Sequence, residues 1–254
     1  MWVLIQIKAI VVALGVLLFI LLPPCILALP FPLRIRLKIV SPAWAFGSKL
    51  MLRFGCQSFF DIQRDERSRD FKGTPPYGLY VANHQSFIDI PLITTMYQAP
   101  PIMKKEILRI PIFGWLGWIS GAMPVSRSKV HSRKKVFDQA KERILIKRIG
   151  IQVYPEGTRS RDTHPKSYDQ IKRTLLVFAY NEKIPVIPTS LYGTRGVINS
   201  RGFIRPGRHL GVIVHQEILP ENFKNSDEFC RAIWDKVIEG YEELMVKLGP
   251  LNEN

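Results

Sequence analysis

The chain has 254 residues, of which 46% are hydrophobic and 22% are charged, and this balance excludes a disordered polyelectrolyte. Lys and Arg exceed Asp and Glu by 36 to 21, a formal charge of +15, so we expect a nucleic acid, an anionic membrane surface or an anionic substrate as partner. The three cysteines, Cys25, Cys56 and Cys230, form no CxxC pair, which argues against a disulfide scaffold and a zinc ribbon.

The N-terminal region is apolar enough to enter a membrane. Residues 9–33 form a stretch of 25 residues without a charge, and about 20 apolar residues cross a bilayer as a helix. Pro23 and Pro24 lack N–H donors, so we expect a helix that begins near Trp2 to break after about Leu22. The stretch therefore fits either one membrane span or a two-helix hairpin that dips into one leaflet.

A basic cluster closes this apolar stretch, formed by Arg34, Arg36 and Lys38. Because basic residues favour the cytoplasmic end of a membrane segment, we expect the chain that follows to lie on the cytoplasmic side, at the inner membrane if the protein is bacterial. A cleaved signal peptide is the alternative. The apolar stretch is long for such a peptide and has no clear small-x-small cleavage site.

The remaining sequence predicts a single α/β domain, and we place the boundary between residues 1–60, membrane-associated and helical, and residues 61–254. An amphipathic helix is expected within residues 40–60. Apolar runs typical of strands occur at residues 79–82, 122–125, 151–154, 186–191 and 210–214. Helical periodicity occurs at residues 130–148 and 226–248. This alternation favours a mostly parallel or mixed sheet flanked by helices, whose chemistry lies in loops beyond the carboxyl ends of the strands.

The first such loop carries the sequence NHQSFID at residues 83–89. On one helix His84 and Asp89 would lie on different faces, so they can meet only if His84 is in the loop and Asp89 near the helix start. Pro91 favours this arrangement, because proline is tolerated in a first helical turn. Asp89 could then accept the Nδ1 proton of His84 and leave Nε2 as a general base. The alternative is a helix-capping box of Ser86 and Asp89 beside an ordinary loop histidine.

A second histidine has the same spacing to an aspartate, in the pair His164 and Asp169. This pair lies in the polar stretch RSRDTHPKSYD rather than at the end of an apolar strand. Its context therefore does not favour a catalytic site.

The second loop carries YPEGTRSR at residues 154–161, again directly after an apolar strand. Gly157 allows a sharp turn that exposes backbone N–H groups, and Arg159 offers a two-pronged guanidinium for phosphate. The chain contains no GxxxxGK[ST] sequence, so the loop is not of the Walker type. The alternative is a solvated turn between strand and helix, capped by a threonine.

In order along the chain, these motifs resemble those of the glycerolipid acyltransferases, the family that includes 1-acylglycerol-3-phosphate (lysophosphatidic acid) acyltransferase. Residues 83–89 match the first family block, GAMPVSR at 121–127 resembles the second, PEGTRS at 155–160 matches the third and IPVIP at 184–188 the fourth. The stretch KKEILRIPIFGW at 104–115 also looks like the family.

Two positions depart from the family pattern. Ser126 stands where Asp or Asn is usual, and residues 171–174 (IKRT) keep the lysine but lack the glycine of an aromatic-Lys-x-Gly run. Acceptor or acyl-chain preference is therefore expected to differ from that of the best-known members.

The resemblance implies the glycerolipid acyltransferase fold and an O-acyltransferase that makes phosphatidic acid. The acyl group would pass from acyl-CoA or acyl-carrier protein, a co-substrate, to the sn-2 hydroxyl of 1-acyl-sn-glycerol 3-phosphate, with no cofactor and no metal. It also implies that His84 is the general base and that Asp89 orients it. The residues implied in binding the acceptor phosphate are Glu156, Gly157, Thr158 and Arg159, with Lys104, Lys105 and Arg127 as further candidates.

The expected partners are the lipid bilayer and lysophosphatidic acid. Nucleic acid is not expected, since the basic residues are dispersed and no nucleic-acid motif occurs. Two alternatives stay open: an acyltransferase acting on another lysophospholipid or a lyso-ornithine lipid, and a non-catalytic membrane-binding or lipid-binding protein of the same fold. An enzyme is favoured by the combination of two pairs, His84 with Asp89 and Glu156 with Arg159, because a binding module needs no general base.

Overall fold

The computed structural model of the protein describes residues 1–64, 77–94, 96, 99–110, 113–126, 130–160, 164–198 and 202–250. The described strands are β1 (Phe59–Arg64), β2 (Leu79–Ala82), β3 (Ile102–Lys104), β4 (Met123–Val125), β5 (Ile151–Val153), β6 (Val186–Tyr192) and β7 (His209–Val214). They form a five-stranded sheet in the order β1-β7-β6-β2-β5 and a small parallel pair of β3 and β4. The mixed sheet expected from the sequence is thereby confirmed.

Strand β2 has a parallel neighbour on each side, β6 on one and β5 on the other. All four of its residues, LYVA, are buried, as is typical of a parallel strand whose sheet is covered on both faces. Because β2, β5 and β6 run in the same direction, their carboxyl ends lie at one edge of the sheet. Strand β7 pairs antiparallel with β6 and parallel with β1.

Helices flank this sheet, and further helices precede it in the chain. They are α1 (Trp2–Gly15), α2 (Leu22–Ala28), α3 (Leu33–Leu50), α4 (Asp89–Thr94), α5 (Phe113–Ile119), α6 (Val130–Lys141), α7 (Thr174–Asn181) and α8 (Ser226–Leu248). Helix α8 has the bounds that the sequence predicts. At its start, the side chain of Asn225 accepts the N–H of Glu228 and caps the helix. Its buried residues recur every three or four positions and pack on the sheet.

The prolines at positions 23 and 24 do not break the N-terminal helix, contrary to the sequence expectation. The helix continues through the π-helical turn Val16–Leu21 into α2. The prolines occupy the first turn of α2, where proline is tolerated, directly after that π turn. The chain reverses instead at residues 29–32, before α3.

The stretch Trp2–Ala28 is the one helix in the described part of the chain that is long and apolar enough to cross a bilayer, and only 11% of its most apolar window is buried. Its first turn nevertheless contacts the α/β domain. The side-chain amide of Gln6 donates to the carbonyl of Ile204 at 2.8 Å and accepts its N–H at 3.0 Å. Trp2 packs edge-on against Phe203, with ring centroids 4.7 Å apart.

Two strands were not predicted from the sequence, β1 and β3. The helical region that begins at α3 ends with the π turn Met51–Gly55, and β1 follows within four residues, so that its first two residues lie in the segment 40–60 that we expected to be helical. Strand β1 is an edge strand that pairs with β7, about 150 residues later, from Phe59 opposite His209 onward. A local pattern cannot report such a distant partner.

Two glycines with nearly equal φ angles allow backbone strain to be separated from steric clash. Gly193 and Gly202 have φ values of +86° and +85°, but a Cβ at Gly193 would clash with the carbonyl oxygen of His209, whereas a Cβ at Gly202 would meet no atom of the described residues within 4 Å. We predict that Gly202→Ala lowers stability by only about 1 kcal/mol, because of left-handed backbone strain. Gly193→Ala should lower stability clearly more, because the clash adds to the strain. Thermal unfolding of both purified variants in one detergent measures this; equal losses would contradict the clash.

Candidate active site

His84 and Asp89 lie at opposite ends of the loop that joins β2 to α4. Asp89 is the first residue of α4, and its Oδ2 atom lies 2.7 Å from Nδ1 of His84. The Asp89 side chain is fully buried, whereas that of His84 is 16% exposed. A carboxylate can only accept, so the Nδ1 proton of His84 donates to Asp89 and the neutral ring keeps Nε2 free to accept a proton.

The Asp89 carboxylate also folds the loop onto the start of α4. The same Oδ2 atom accepts the backbone N–H groups of Gln85 at 2.7 Å and Ser86 at 2.8 Å. Asp89 therefore reaches back to Ser86 as in a capping box and pairs with His84 through one oxygen. The two interpretations of this motif are compatible in the folded protein.

Asn83 fixes the end of β2 to the end of β6. Its side-chain amide donates to the carbonyl of Leu191 and accepts the N–H of Leu191, both at 2.8 Å. Asn83 and Leu191 are fully buried, so no water competes for these bonds. The position of His84, the next residue, is therefore tied to the sheet.

The second loop, after β5, packs directly on the first. Gly157 has a φ of +67°, and its N–H donates to the carbonyl of Tyr154 at 2.9 Å. The Tyr154 ring lies against the His84 ring, with centroids 4.4 Å apart. The N–H of Ser160 donates to the carbonyl of His84 at 2.7 Å. These contacts bring residues about 70 positions apart into one site.

Glu156 supports the backbone of His84. Its Oε1 atom accepts the His84 N–H at 2.7 Å, and the residue is only 2% exposed. Burial raises the pKa of this carboxyl to about 7, and its backbone hydrogen bonds only partly oppose the rise. The resemblance implied a role for Glu156 in binding substrate, whereas its described side-chain contact is with the loop that carries His84.

An open pocket of about 340 Å³ lies beside the two loops, lined by Gln85, Thr158, Arg159, Ser160 and Arg195. The guanidinium of Arg159 also stacks 4.0 Å above the ring of Phe87. Thr158 and Arg159 were singled out from the sequence, whereas Gln85, Ser160 and Arg195 were not. A signal for Arg195 does exist, because the tripeptide Gly-Thr-Arg occurs at residues 157–159 and again at 193–195.

The lysines suggested as further phosphate-binding residues lie apart from this pocket's lining. Lys104 ends β3 and Lys105 begins the next turn; both are exposed, and Nζ of Lys104 lies 3.9 Å from Glu106. Arg127, the third candidate, lies outside the described residues.

Two further residues from the sequence analysis are His164, which has an aspartate five residues on, and Lys172, the lysine within residues 171–174. His164 packs its ring against Tyr241, with centroids 5.3 Å apart. The side chain of Lys172 runs along Gly157, where a Cβ would lie 3.1 Å from it. Within the described ranges, no three His, Cys, Asp or Glu residues converge as a metal site would require.

Comparison with known proteins shows which family the chain resembles. The profile described as Acyltransferase matches residues 64–192. A 1-acyl-sn-glycerol-3-phosphate acyltransferase of Chlamydomonas reinhardtii is 32% identical over 157 residues, which cover 61% of this chain and 45% of that protein. The Escherichia coli K12 protein of the same name is 26% identical over 170 residues, covering 63% of this chain and 66% of that protein.

A chloroplastic 1-acyl-sn-glycerol-3-phosphate acyltransferase of Arabidopsis thaliana is 29% identical over 200 residues, covering 78% of this chain and 54% of that protein. The chain thus spans about half the length of its algal and plant relatives. The crystal structure of the 1-acyl-sn-glycerophosphate (LPA) acyltransferase PlsC from Thermotoga maritima has a TM-score of 0.80 at 24% identity, over 98% of both chains. This likeness establishes the fold, and the family matches confirm the resemblance inferred from the sequence blocks.

The raised pKa of Glu156 predicts a pH-dependent loss of stability. The folded protein holds this proton up to about pH 7, whereas an unfolded glutamate releases it near pH 4.3. The group's contribution is therefore present below pH 4.3 and is lost as the pH rises through 7. Glu156→Gln keeps an acceptor for His84 but cannot ionise. Its melting temperature relative to that of the wild type should therefore rise between pH 5 and pH 8. The corresponding gain in the free energy of unfolding should be no more than about 3 kcal/mol.

A matched control for this measurement is Glu242→Gln, which changes an exposed carboxyl on α8. Its melting curve should follow that of the wild type at every pH. If Glu156→Gln also runs parallel to the wild type from pH 5 to pH 8, the raised pKa of Glu156 is wrong.

Proposed function

The chain belongs to the Acyltransferase family, and on that premise we propose that it transfers a fatty acyl group from acyl-CoA or acyl-carrier protein to the sn-2 hydroxyl of 1-acyl-sn-glycerol 3-phosphate. The product is phosphatidic acid. The relatives named above share this acceptor in their names, which supports the same acceptor here.

The observation that carries the proposal is the contact between Nδ1 of His84 and the buried carboxylate of Asp89, at 2.7 Å. This contact orients the imidazole and leaves Nε2 as the proton acceptor. A charged carboxylate beside the ring also stabilises the imidazolium that forms when Nε2 takes a proton. A protein that only binds membranes would not require this arrangement.

The reaction then needs one base and no covalent enzyme intermediate. Nε2 of His84 takes the proton of the acceptor hydroxyl while the hydroxyl oxygen attacks the thioester carbonyl. The new ester C–O bond forms, the C–S bond breaks, and the departing thiolate takes the proton back from His84. Ser86 is the nearest hydroxyl residue in the loop, but its N–H donates to Asp89 and its Oγ accepts the N–H of Ile88, so direct transfer is the simpler chemistry.

Acceptor binding is assigned to the pocket beside this pair. Arg159 and Thr158 line it, and so does Gln85, the residue after His84. A guanidinium binds phosphate oxygens with two parallel hydrogen bonds. Holding the phosphate here would place the glycerol hydroxyl near His84, and such positioning supplies a large part of the rate enhancement of a two-substrate reaction.

Membrane association is part of the proposal, because the acyl acceptor resides in the bilayer. The exposed residues of the N-terminal helix include Leu18 and Phe19, and Phe19 is 80% exposed. We favour a helical hairpin within one leaflet over a span, since a span would carry Gln6 away from its partner Ile204 in the α/β domain. The basic residues that follow the turn of the hairpin, at the start of α3, are Arg34, Arg36 and Lys38, and they support a cytoplasmic orientation.

His84→Ala is predicted to lower the turnover number by about 10²–10⁴-fold, because the general base is removed. Acyl transfer from radiolabelled acyl-CoA to lysophosphatidic acid measures this. The matched control is His164→Ala, which removes the other histidine with an aspartate five residues on and should keep most of the activity. Retention of wild-type turnover by His84→Ala, with its melting temperature unchanged, would contradict the catalytic role.

The full chain is predicted to stay in the membrane fraction in 1 M salt, because salt screens charge but not apolar burial. Phe19→Glu should move part of the protein to the soluble fraction. Val246→Glu is the matched control, since Val246 is 83% exposed but lies on α8, away from the hairpin. Release of the wild-type chain by salt alone would mean that only charge holds it to the membrane.

A further inference from the structure

The tripeptide Gly-Thr-Arg follows two different strands of the sheet. Residues 157–159 come after β5 and residues 193–195 come after β6. Both glycines have positive φ angles, +67° at Gly157 and +86° at Gly193, so each chain segment turns sharply at the end of its strand. Since β5 and β6 are the two parallel neighbours of β2, the two turns flank the loop that carries His84.

The position of Arg195 is determined by its surroundings in the fold. It lies in the 3-10 turn Thr194–Gly196, and Thr194 and Val197 on either side are fully buried. The backbone at Gly193 approaches the carbonyl oxygen of His209 so closely that no Cβ would fit. Leu191, two residues earlier, is tied to Asn83 by two hydrogen bonds. The turn is therefore anchored to the residue that precedes His84.

The side chain of Arg195 lines the same pocket as Arg159. Its charge also lies near the Tyr241 hydroxyl, where it opposes the rise in the Tyr241 pKa that burial causes, and this hydroxyl accepts from Nε2 of Gln85 at 3.3 Å. Gln85, the neighbour of His84, lines the pocket too. Arg195 therefore shares one pocket with Arg159 and with Gln85, the residue after His84.

The charge of the pocket selects its ligand. Its lining consists of two arginines, one glutamine and two hydroxyl residues, with no carboxylate among them. Two guanidinium groups and the hydroxyl of Thr158 complement a group with two negative charges and several acceptor oxygens; the Ser160 hydroxyl already donates to the carbonyl of His164 at 2.9 Å. A phosphate monoester has this character near neutral pH, since its second pKa is about 6. A phosphodiester carries a single charge and therefore matches two guanidinium groups less well than a phosphate monoester does.

We propose that Arg195 is a second phosphate-binding residue, which together with Arg159 clamps the phosphate monoester of the acyl acceptor and makes the enzyme select acceptors that carry one. The identity of the acceptor rests on the proposed function, whereas the affinity of the pocket for a phosphate monoester does not. Arg195 is partly buried, unlike the exposed Arg159, and is thus less screened by water.

The first measurement is calorimetric binding of glycerol 3-phosphate to the full chain in detergent, which needs no acyl transfer. Arg195→Gln should weaken binding about tenfold or more, the effect of losing a charge-assisted hydrogen bond. Arg195→Lys keeps the charge but loses the two-pronged geometry, so it should fall between Arg195→Gln and the wild type. The matched control is Arg231→Gln on α8, whose guanidinium stacks on Tyr168 at 4.2 Å.

The second measurement separates the two possible sources of the phosphate, the acceptor and the acyl donor. In Arg195→Gln the KM for lysophosphatidic acid should rise about tenfold or more, and the KM for acyl-CoA should change less than twofold. The preference in kcat/KM for lysophosphatidic acid over lysophosphatidylcholine, a phosphodiester, should fall. Arg231→Gln should leave all these values unchanged.

Three outcomes overturn the proposal: an unchanged affinity for glycerol 3-phosphate in Arg195→Gln, an equal loss in Arg231→Gln, and a rise in the KM for acyl-CoA alone. The last would assign the pocket to a phosphate of the donor. Arg195→Lys, which keeps the charge, decides the matter if Arg195→Gln does not fold. If the wild type transfers no acyl group to lysophosphatidic acid, the proposed function fails, while the binding measurement still decides the role of Arg195.

Discussion

Strand β2 pairs in parallel with β6 on one side and with β5 on the other, and this constraint forces three strand ends to a single edge of the sheet. Each end leads directly into a loop with polar side chains. His84 follows β2, Arg159 follows β5 and Arg195 follows β6. These residues are far apart in sequence, so only the direction and order of the strands brings them together.

The loops are then held by polar contacts in a buried setting, where an unmade hydrogen bond is costly. The Oδ2 atom of Asp89 receives three donors, the ring of His84 and two backbone N–H groups. The side chain of Glu156 receives the backbone N–H of His84. Its backbone hydrogen bonds only partly oppose the effect of burial, which raises the pKa of Glu156 to about 7. The two carboxyl groups hold His84 from different sides, one through its ring and one through its backbone.

In the proposed reaction, the apolar hairpin and the polar site would meet different needs. The exposed apolar face of the N-terminal helix suits an acceptor whose acyl chain stays in lipid, whereas the two-arginine pocket suits a charged headgroup at the membrane surface. Gln6 joins the hairpin to the α/β domain through Ile204, so the site would keep a fixed height relative to the bilayer. This fixed height is a further form of substrate positioning.

The sequence by itself determined the features that depend on near neighbours. The spacing of His84, Asp89 and Pro91 placed the histidine in a loop and the aspartate at a helix start, and the periodicity of residues 226–248 gave helix α8 with its bounds. Only the tertiary structure decided the rest. The prolines at 23 and 24 lie in the first turn of α2, directly after a π turn, and the helix continues through them. Strand β1 forms because β7 supplies its backbone partners, and Arg195 lines the pocket because β6 lies beside β2. Short-range spacing sets which side chains one turn or helix brings together, whereas a strand's partner and the pocket at its end depend on hydrogen bonds to residues up to 150 positions away.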